Sequence, residues 1–428
     1  MAGTAPIRAA YAALGIAITP ALRLWLKRRA KRGKEDAARM GERFGHAALP
    51  RPAGRVVWLH AASVGETQSI LALMRSLLDA HPAIHLLITT GTVTSAALVA
   101  QQHLPRTIHQ FIPVDTAPAV ARFLQHWQPD LALWIESELW PQLVWQTQAR
   151  EVPMLLINAR LSARSLRSWQ RWPATIQSLL HGFTAIYAGS DDDAARLTAL
   201  GARDVKNIGN LKYDAATLPI DETLIAELNA AGADRRIVVA ASTHANEEQQ
   251  IAEAHAIVAQ AFPTLLTIIV PRHASRGDTI AADLRAQNIS VAQRSKHEPI
   301  TPTTAMYLAD TMGELGSFYR VAELVFIGGS LVAHGGQNPL EPARLGNALL
   351  SGPHTHNFAA IMQHVQQAGG LRIVADKAAL AIAIRELLGD DAARRTLATN
   401  ARATVENARG ASAIIARECS ALLQGSTP

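Results

Sequence analysis

The chain has 428 residues, 49% hydrophobic and 18% charged, too apolar for disorder and enough for two or three domains with large cores. One cysteine, Cys419, excludes an internal disulfide framework and a cysteine-rich zinc site, and reads as a reducing compartment. Residues 1–45 hold ten Lys/Arg and three Asp/Glu, so +7, while the remainder holds 31 basic and 32 acidic, so −1; the body carries no net basic footprint, and no nucleic-acid partner is expected.

In chain order, the first element is an apolar run without charge from Ala9 to Leu22, followed by Arg23, Lys27, Arg28, Arg29, Lys31, Arg32 and Lys34. Ile7, Tyr11, Leu14, Ile18, Leu22 and Trp25 recur at helical spacing and predict one apolar stripe. The run is shorter than the ~20 residues of a full span, so residues 1–34 read as an interfacial helix or a short, tilted insertion beside anionic lipids. A secretory signal has its basic region before the apolar run, not after it. The positive-inside rule puts the following body in the cytoplasm.

After residue 54, short β-branched runs alternate with helical patterns. The first half offers strands at Val56–His60, Leu86–Thr90, Gln110–Val114, Leu131–Ile135, Met154–Ile157 and Ala185–Ala188. The second offers Ile237–Ala241, Leu265–Val270, Ile289–Ala292, Ala305–Ala309, Leu324–Ile327 and Ala348–Leu350. Each is short enough to be a buried parallel strand with crossover helices between. The prediction is two doubly wound α/β domains, residues 35–215 and 216–405, joined around Asp214–Thr223. One helical stretch over Asp390–Leu423 ends the second and leads into a segment, 406–428, that crosses back.

Open α/β sheets bind ligands beyond the carboxyl ends of their strands, and the polar clusters fall there. His60-Ala-Ala-Ser-Val-Gly-Glu66 ends a strand and predicts a helix beginning near Thr67, with Glu66 at its positive end, where its pKa falls. Glu66 is either an ordinary N-terminal helix acid or a general base. Glu136-Ser-Glu138-Leu-Trp-Pro141 is either a turn before a helix starting at Pro141 or a pair of functional acids. Ser190 followed by Asp191, Asp192 and Asp193 reads as an N-cap and acidic first turn in preference to a metal site. His354 and His356 lack the helical spacing of a zinc pair.

Gly209–Asp214, with Lys212, and Pro271–Arg276, with Arg272, set cations just after apolar runs, either for a phosphate or for surface ion pairs. Gly328–Ser330 and Gly335–Pro342 give glycine loops before a helix, suited to an anion. No dinucleotide fingerprint or P-loop occurs.

In order, HAASVGE, ESELWP, NARLS, GNLKYD, STHANEE, VPRHASR, DTMGEL, FIGGSLVAHGGQNPLEPA and GPHTHNF, from residue 60 to 358, resemble the bacterial Kdo (3-deoxy-D-manno-octulosonic acid) transferases of lipopolysaccharide core biosynthesis. Gln337 stands where many members have His. The resemblance implies a GT-B architecture, two Rossmann-like domains facing across a cleft. It implies CMP-Kdo as donor, a lipid A precursor as acceptor, the cytoplasmic face of the bacterial inner membrane as location, and an inverting transfer without metal or cofactor. It assigns Glu66 as base and Glu136, ahead of Glu138, to the transition state or acceptor; Lys212 and Arg272 are cations of the type to stabilise the leaving phosphate. The nucleotide is expected against Pro271 and Arg272, Met312, Gly313 and Glu314, and Asn338, Pro339, Leu340 and Glu341. The alternatives are a two-Rossmann nucleotide-sugar epimerase, which has no use for the basic N-terminus, and a nucleotide-sensing membrane protein, which has no use for Glu66.

Overall fold

A computed structural model describes residues 5–425 and divides the chain into two compact units. The first runs to Ala215 and resumes at Arg409; the second is Ala216–Ala408.

The first unit holds β1 (Arg55–His60), β2 (Ile84–Thr90), β3 (Thr107–Phe111), β4 (Leu131–Ile135), β5 (Met154–Ala159), β6 (Ala185–Ala188) and β7 (Val205–Asn207). They form one parallel sheet in the order β3-β2-β1-β4-β5-β6-β7. Alternate residues of β1 and β4 enter two cores, one on each face: Val56, Trp58 and Trp134 on one side, Val57, Leu59 and Leu133 on the other. The second unit holds β8 (Ile237–Thr243), β9 (Leu266–Pro271), β10 (Val291–Gln293), β11 (Met306–Leu308), β12 (Leu324–Ile327), β13 (Ala348–Ser351) and β14 (Leu371–Ile373), in the parallel order β10-β11-β9-β8-β12-β13-β14.

Several sequence expectations shift. β3 ends at Phe111 instead of running to Val114, because Pro113 has no N–H for the ladder and the Val114 N–H donates to Arg43 O at 2.8 Å. β7 and β14 were not foreseen: each is a three-residue edge strand, too short to show an apolar run. The helix expected from Thr67 begins at Val64, capped by Ser63, whose Oγ accepts from Glu66 N. The last stretch is two helices, Asp391–Asn407 in the second unit and Ala411–Gly425 in the first. Gly410, at φ +117, makes the break, and the Asp214 carboxylate accepts from Gly410 N at 2.7 Å and Ser412 N at 2.6 Å. The second helix then packs on Val64–Ala80 and sets Ile415, Cys419 and Leu423 into the first unit's core.

The helix Ala5–Lys31 is long and apolar enough to cross a membrane by length and composition. It also lies against the first unit. Tyr11 Oη donates to Asp115 Oδ2 at 3.0 Å, the Tyr11 ring meets Trp145 edge-on, and Arg29 pairs with Glu35 at 2.8 Å. The expected single stripe is therefore divided. Tyr11 and Leu22 turn partly inward, while Leu14, Ile18 and Trp25 are 58%, 42% and 50% exposed.

Candidate active site

In the first unit the strand order reverses between β1 and β4, which puts a crevice beyond their carboxyl ends. Glu66 follows β1. It is only 7% exposed, and its carboxylate accepts from Ala62 N at 2.7 Å and Ser63 Oγ at 2.8 Å. Burial pushes its carboxyl up to about 7, against those two hydrogen bonds, and Glu136 and Glu138 add to the rise. The lowering expected from the helix dipole is thus overturned, because loss of water outweighs a partial charge.

Glu136 follows β4 and sits in the left-handed region at φ +59, a strained position for a non-glycine residue. Its Oε1 lies 3.8 Å from Lys212 Nζ. Lys212 is carried by a 3-10 turn, Leu211–Asp214, whose backbone is held by side chains: Asn158 Oδ1 accepts from Leu211 N and Asn210 Oδ1 from Lys212 N. Asn158, in β5, is also left-handed. Glu138 accepts from Trp140 Nε1 at 2.6 Å, and burial raises its carboxyl. Glu66, Glu136 and Lys212 thus belong to one cluster of strand ends, with a near-neutral carboxyl beside an ion pair. Such a carboxyl takes up a proton readily near pH 7.

The three acids after Ser190 are committed to protein donors. Ser190 caps the helix Asp191–Ala199, Asp193 accepts from Ser190 Oγ and Leu161 N, Asp192 pairs with Arg196, and Asp191 accepts from Asn207.

In the second unit the order reverses between β8 and β12. Glu247, fully buried, accepts from the N–H groups of Gly329, Ser330 and Leu331 at 2.6, 3.0 and 3.0 Å, and so fixes the glycine loop after β12. His244 stacks on His334 with ring centroids 3.8 Å apart, and Gln337 Nε2 donates to its Nε2 at 2.9 Å. Burial, with His334, His273 and Arg272 nearby, holds His244 down to about 4, so its ring is neutral at pH 7. Arg272 is exposed just beyond the buried Pro271 that ends β9. Arg272 also acts on Glu341, whose carboxyl is raised by burial and opposed by Asn338, Arg344 and Arg272.

The other expected donor residues are placed differently. Glu314 is clasped by Arg294 at 2.9 and 2.6 Å, which holds its carboxyl below the usual range. Met312 is 74% exposed and Gly313 turns at φ +88 beside it. Pro339 and Leu340 are buried, and Asn338 Oδ1 accepts from Leu340 N at 3.0 Å, so Leu340 packs as core.

Residues 38–215 match the family model described as 3-Deoxy-D-manno-octulosonic-acid transferase (kdotransferase). The chain is 34% identical over 401 residues to the 3-deoxy-D-manno-octulosonic acid transferase of Bordetella pertussis, covering 90% of this chain and 92% of that protein. The chain belongs to the Kdo transferase family. It is accordingly an enzyme, a Kdo glycosyltransferase. The Haemophilus influenzae 3-deoxy-D-manno-octulosonic acid transferase is also 34% identical, over 383 residues, 87% of this chain and 88% of that one. The UDP-GlcNAc 2-epimerase from Neisseria meningitidis, bound to UDP-GlcNAc, aligns at TM-score 0.56 over 85% of this chain and 98% of that chain, at 15% identity. That likeness is one of fold, the GT-B type with two doubly wound domains.

Sequence reasoning missed the tie from Glu247 to the Gly328–Leu331 loop. The signal was present: two adjacent acids, Glu247 and Glu248, at a helix start just after a buried strand, and both are buried. The Glu136–Lys212 pair joins residues far apart in the chain, and no local pattern reports it.

Proposed function

We propose that this enzyme moves Kdo from CMP-Kdo to a lipid A precursor at the cytoplasmic face of the inner membrane, with inversion and without a metal. The observation that carries the reading is Glu66: a buried carboxyl, pushed up to about 7, at the switch point of the first sheet beside Glu136 and Lys212. The acceptor hydroxyl attacks the anomeric carbon of Kdo, and its proton passes to the Glu66 carboxylate. The bond from that carbon to the CMP phosphate oxygen breaks, and the electron pair leaves with CMP. Arg272 takes up the charge growing on the phosphate. Lys212, held against Glu136, supplies positive charge as the transition state forms. Glu136 orients the acceptor.

The donor nucleotide is read against Pro271 and Arg272, the Met312–Glu314 turn, and Asn338–Glu341. Neutral His244 and the loop tied by Glu247 keep backbone N–H groups in place near that end of the second sheet. The apolar face of Ala5–Lys31 and the basic residues after it supply the membrane contact. The direct test is CMP release from CMP-Kdo with lipid A precursor in detergent, with mass analysis of the lipid product. Release of CMP coupled to a Kdo-bearing lipid supports the reading; no release, or release without transfer to lipid, refutes it.

A further inference from the structure

The segment Arg160–Arg171 contains four arginines and no acid. It begins where β5 ends and includes the helix Ala163–Trp169. Its base is anchored: Leu161 N donates to Asp193 Oδ1 at 2.9 Å, and Arg196 Nη1 donates to Leu161 O at 3.2 Å. Leu166 and Trp169 pack onto the first unit's core. Arg164 and Arg167, three apart on that helix, are exposed and lie away from the packed side, and Arg171 is exposed in the turn that follows.

All four arginines are exposed, and among the described residues none of their side chains is engaged in an ion pair, hydrogen bond or ring contact. Some surface arginines elsewhere are paired, such as Arg285 with Glu298 and Arg372 with Glu386. Trp172, next in the chain, is 62% exposed. Four exposed guanidinium groups without an acidic partner lie beside an exposed indole. They suit an anion with several oxygens and an apolar body attached, since guanidinium forks match phosphate and indoles settle where water meets lipid.

We propose that this arginine arm holds the phosphate groups of the glycolipid acceptor. The proposal rests on the transferase reading above and extends it to residues of acceptor recognition. Position selects the acceptor over bulk lipid. β5 pairs with β4, so the arm starts one strand from Glu136, at the same sheet edge as Glu66. The exposed apolar face suited to the bilayer lies on another element, Ala5–Lys31.

The test is the triple variant Arg164→Ala, Arg167→Ala, Arg171→Ala, with the matching triple Lys variant, assayed on phosphorylated lipid A precursor in detergent and on the same lipid with its phosphates removed. At ~1 kcal/mol per exposed charge near an anionic headgroup, loss of the three charges raises KM for the phosphorylated lipid on the order of 100-fold. The effect falls on KM more than on kcat, KM for CMP-Kdo stays put, and the Lys variant recovers part of the loss. On dephosphorylated lipid, the Ala variant and the parent protein converge. Equal KM of the two proteins for the phosphorylated lipid overturns the proposal, as does an equal loss with both lipids. So does lost flotation on acceptor-free anionic vesicles with KM unchanged in detergent, which would make the arm a bulk-membrane contact. If the parent protein releases no CMP at all, the transferase reading fails by itself. Direct binding of acceptor micelles by parent and variant then still decides the arm.

Discussion

Glu66→Gln separates a base from a cap. The substitution keeps size and one acceptor oxygen, so the contacts to Ala62 N and Ser63 Oγ can largely persist. It removes the ability to hold a proton. If Glu66 is the base, turnover falls by roughly 10²–10⁴. The carboxyl is raised above its ordinary value, so the native state holds its proton more tightly than the unfolded chain does. Stability is then greatest below the ordinary carboxyl range and declines as pH rises toward 7, where it levels off. With the carboxyl pushed up to about 7, at about 1.4 kcal/mol per pH unit the ionised native state bears a cost of ~3 kcal/mol. The Gln variant lacks that cost, so its advantage in thermal stability over the parent grows from pH 5 to pH 8. Every tryptophan lies in the first unit, so indole fluorescence reports the melting of that unit. Activity of the parent should rise with pH through an inflection near 7, and the residual activity of the variant should not. A folded Gln variant within about tenfold of parental turnover, with the parent showing no inflection, refutes the assignment.

Glu247→Ala strips the acceptor from three backbone N–H groups of the Gly329–Leu331 loop; by denaturant titration it should cost about 3 kcal/mol or more in the second unit, with CMP binding weakened. The combined Leu14→Ser, Ile18→Ser, Trp25→Ser change acts on exposed side chains, so flotation with anionic vesicles should drop while the melting temperature holds. Arg272→Ala should weaken CMP binding and turnover by one to two decades, as loss of a charge-assisted contact worth roughly 1.5–3 kcal/mol predicts, and chelator should leave the parental rate unchanged. A rate that vanishes with chelator and returns with Mg²⁺ would shift the phosphate charge from Arg272 to a metal.

The central strands were legible because burial on both faces leaves continuous β-branched runs, as in Leu131–Ile135, found with both boundaries intact. The short edge strand β7 was not, since Val205–Asn207 packs little and owes its form to pairing with β6. Motif residues could be named from the chain, yet their electrostatics could not. Glu66 looked like a dipole-stabilised acid by position and turned out to be governed by burial, a property of the whole fold. The stripe on Ala5–Lys31 was visible as periodicity, but its division between a protein side and an open side depends on Asp115 and Trp145, more than a hundred residues away.

The tie from Asp214 to Gly410 and Ser412 has a consequence for synthesis. The first unit is interrupted by the whole of the second, and its core is completed only by Ile415, Cys419 and Leu423. On the ribosome the second unit emerges as one unbroken stretch and has all its own strands in hand while the first still lacks its closing helix. The order of translation and the order of completion are therefore reversed. Until the last helix docks on Val64–Ala80, the apolar side of that helix which it covers stays open. A nascent chain with the first sheet formed thus still carries an open core, which closes only once Ala411–Gly425 is free to dock.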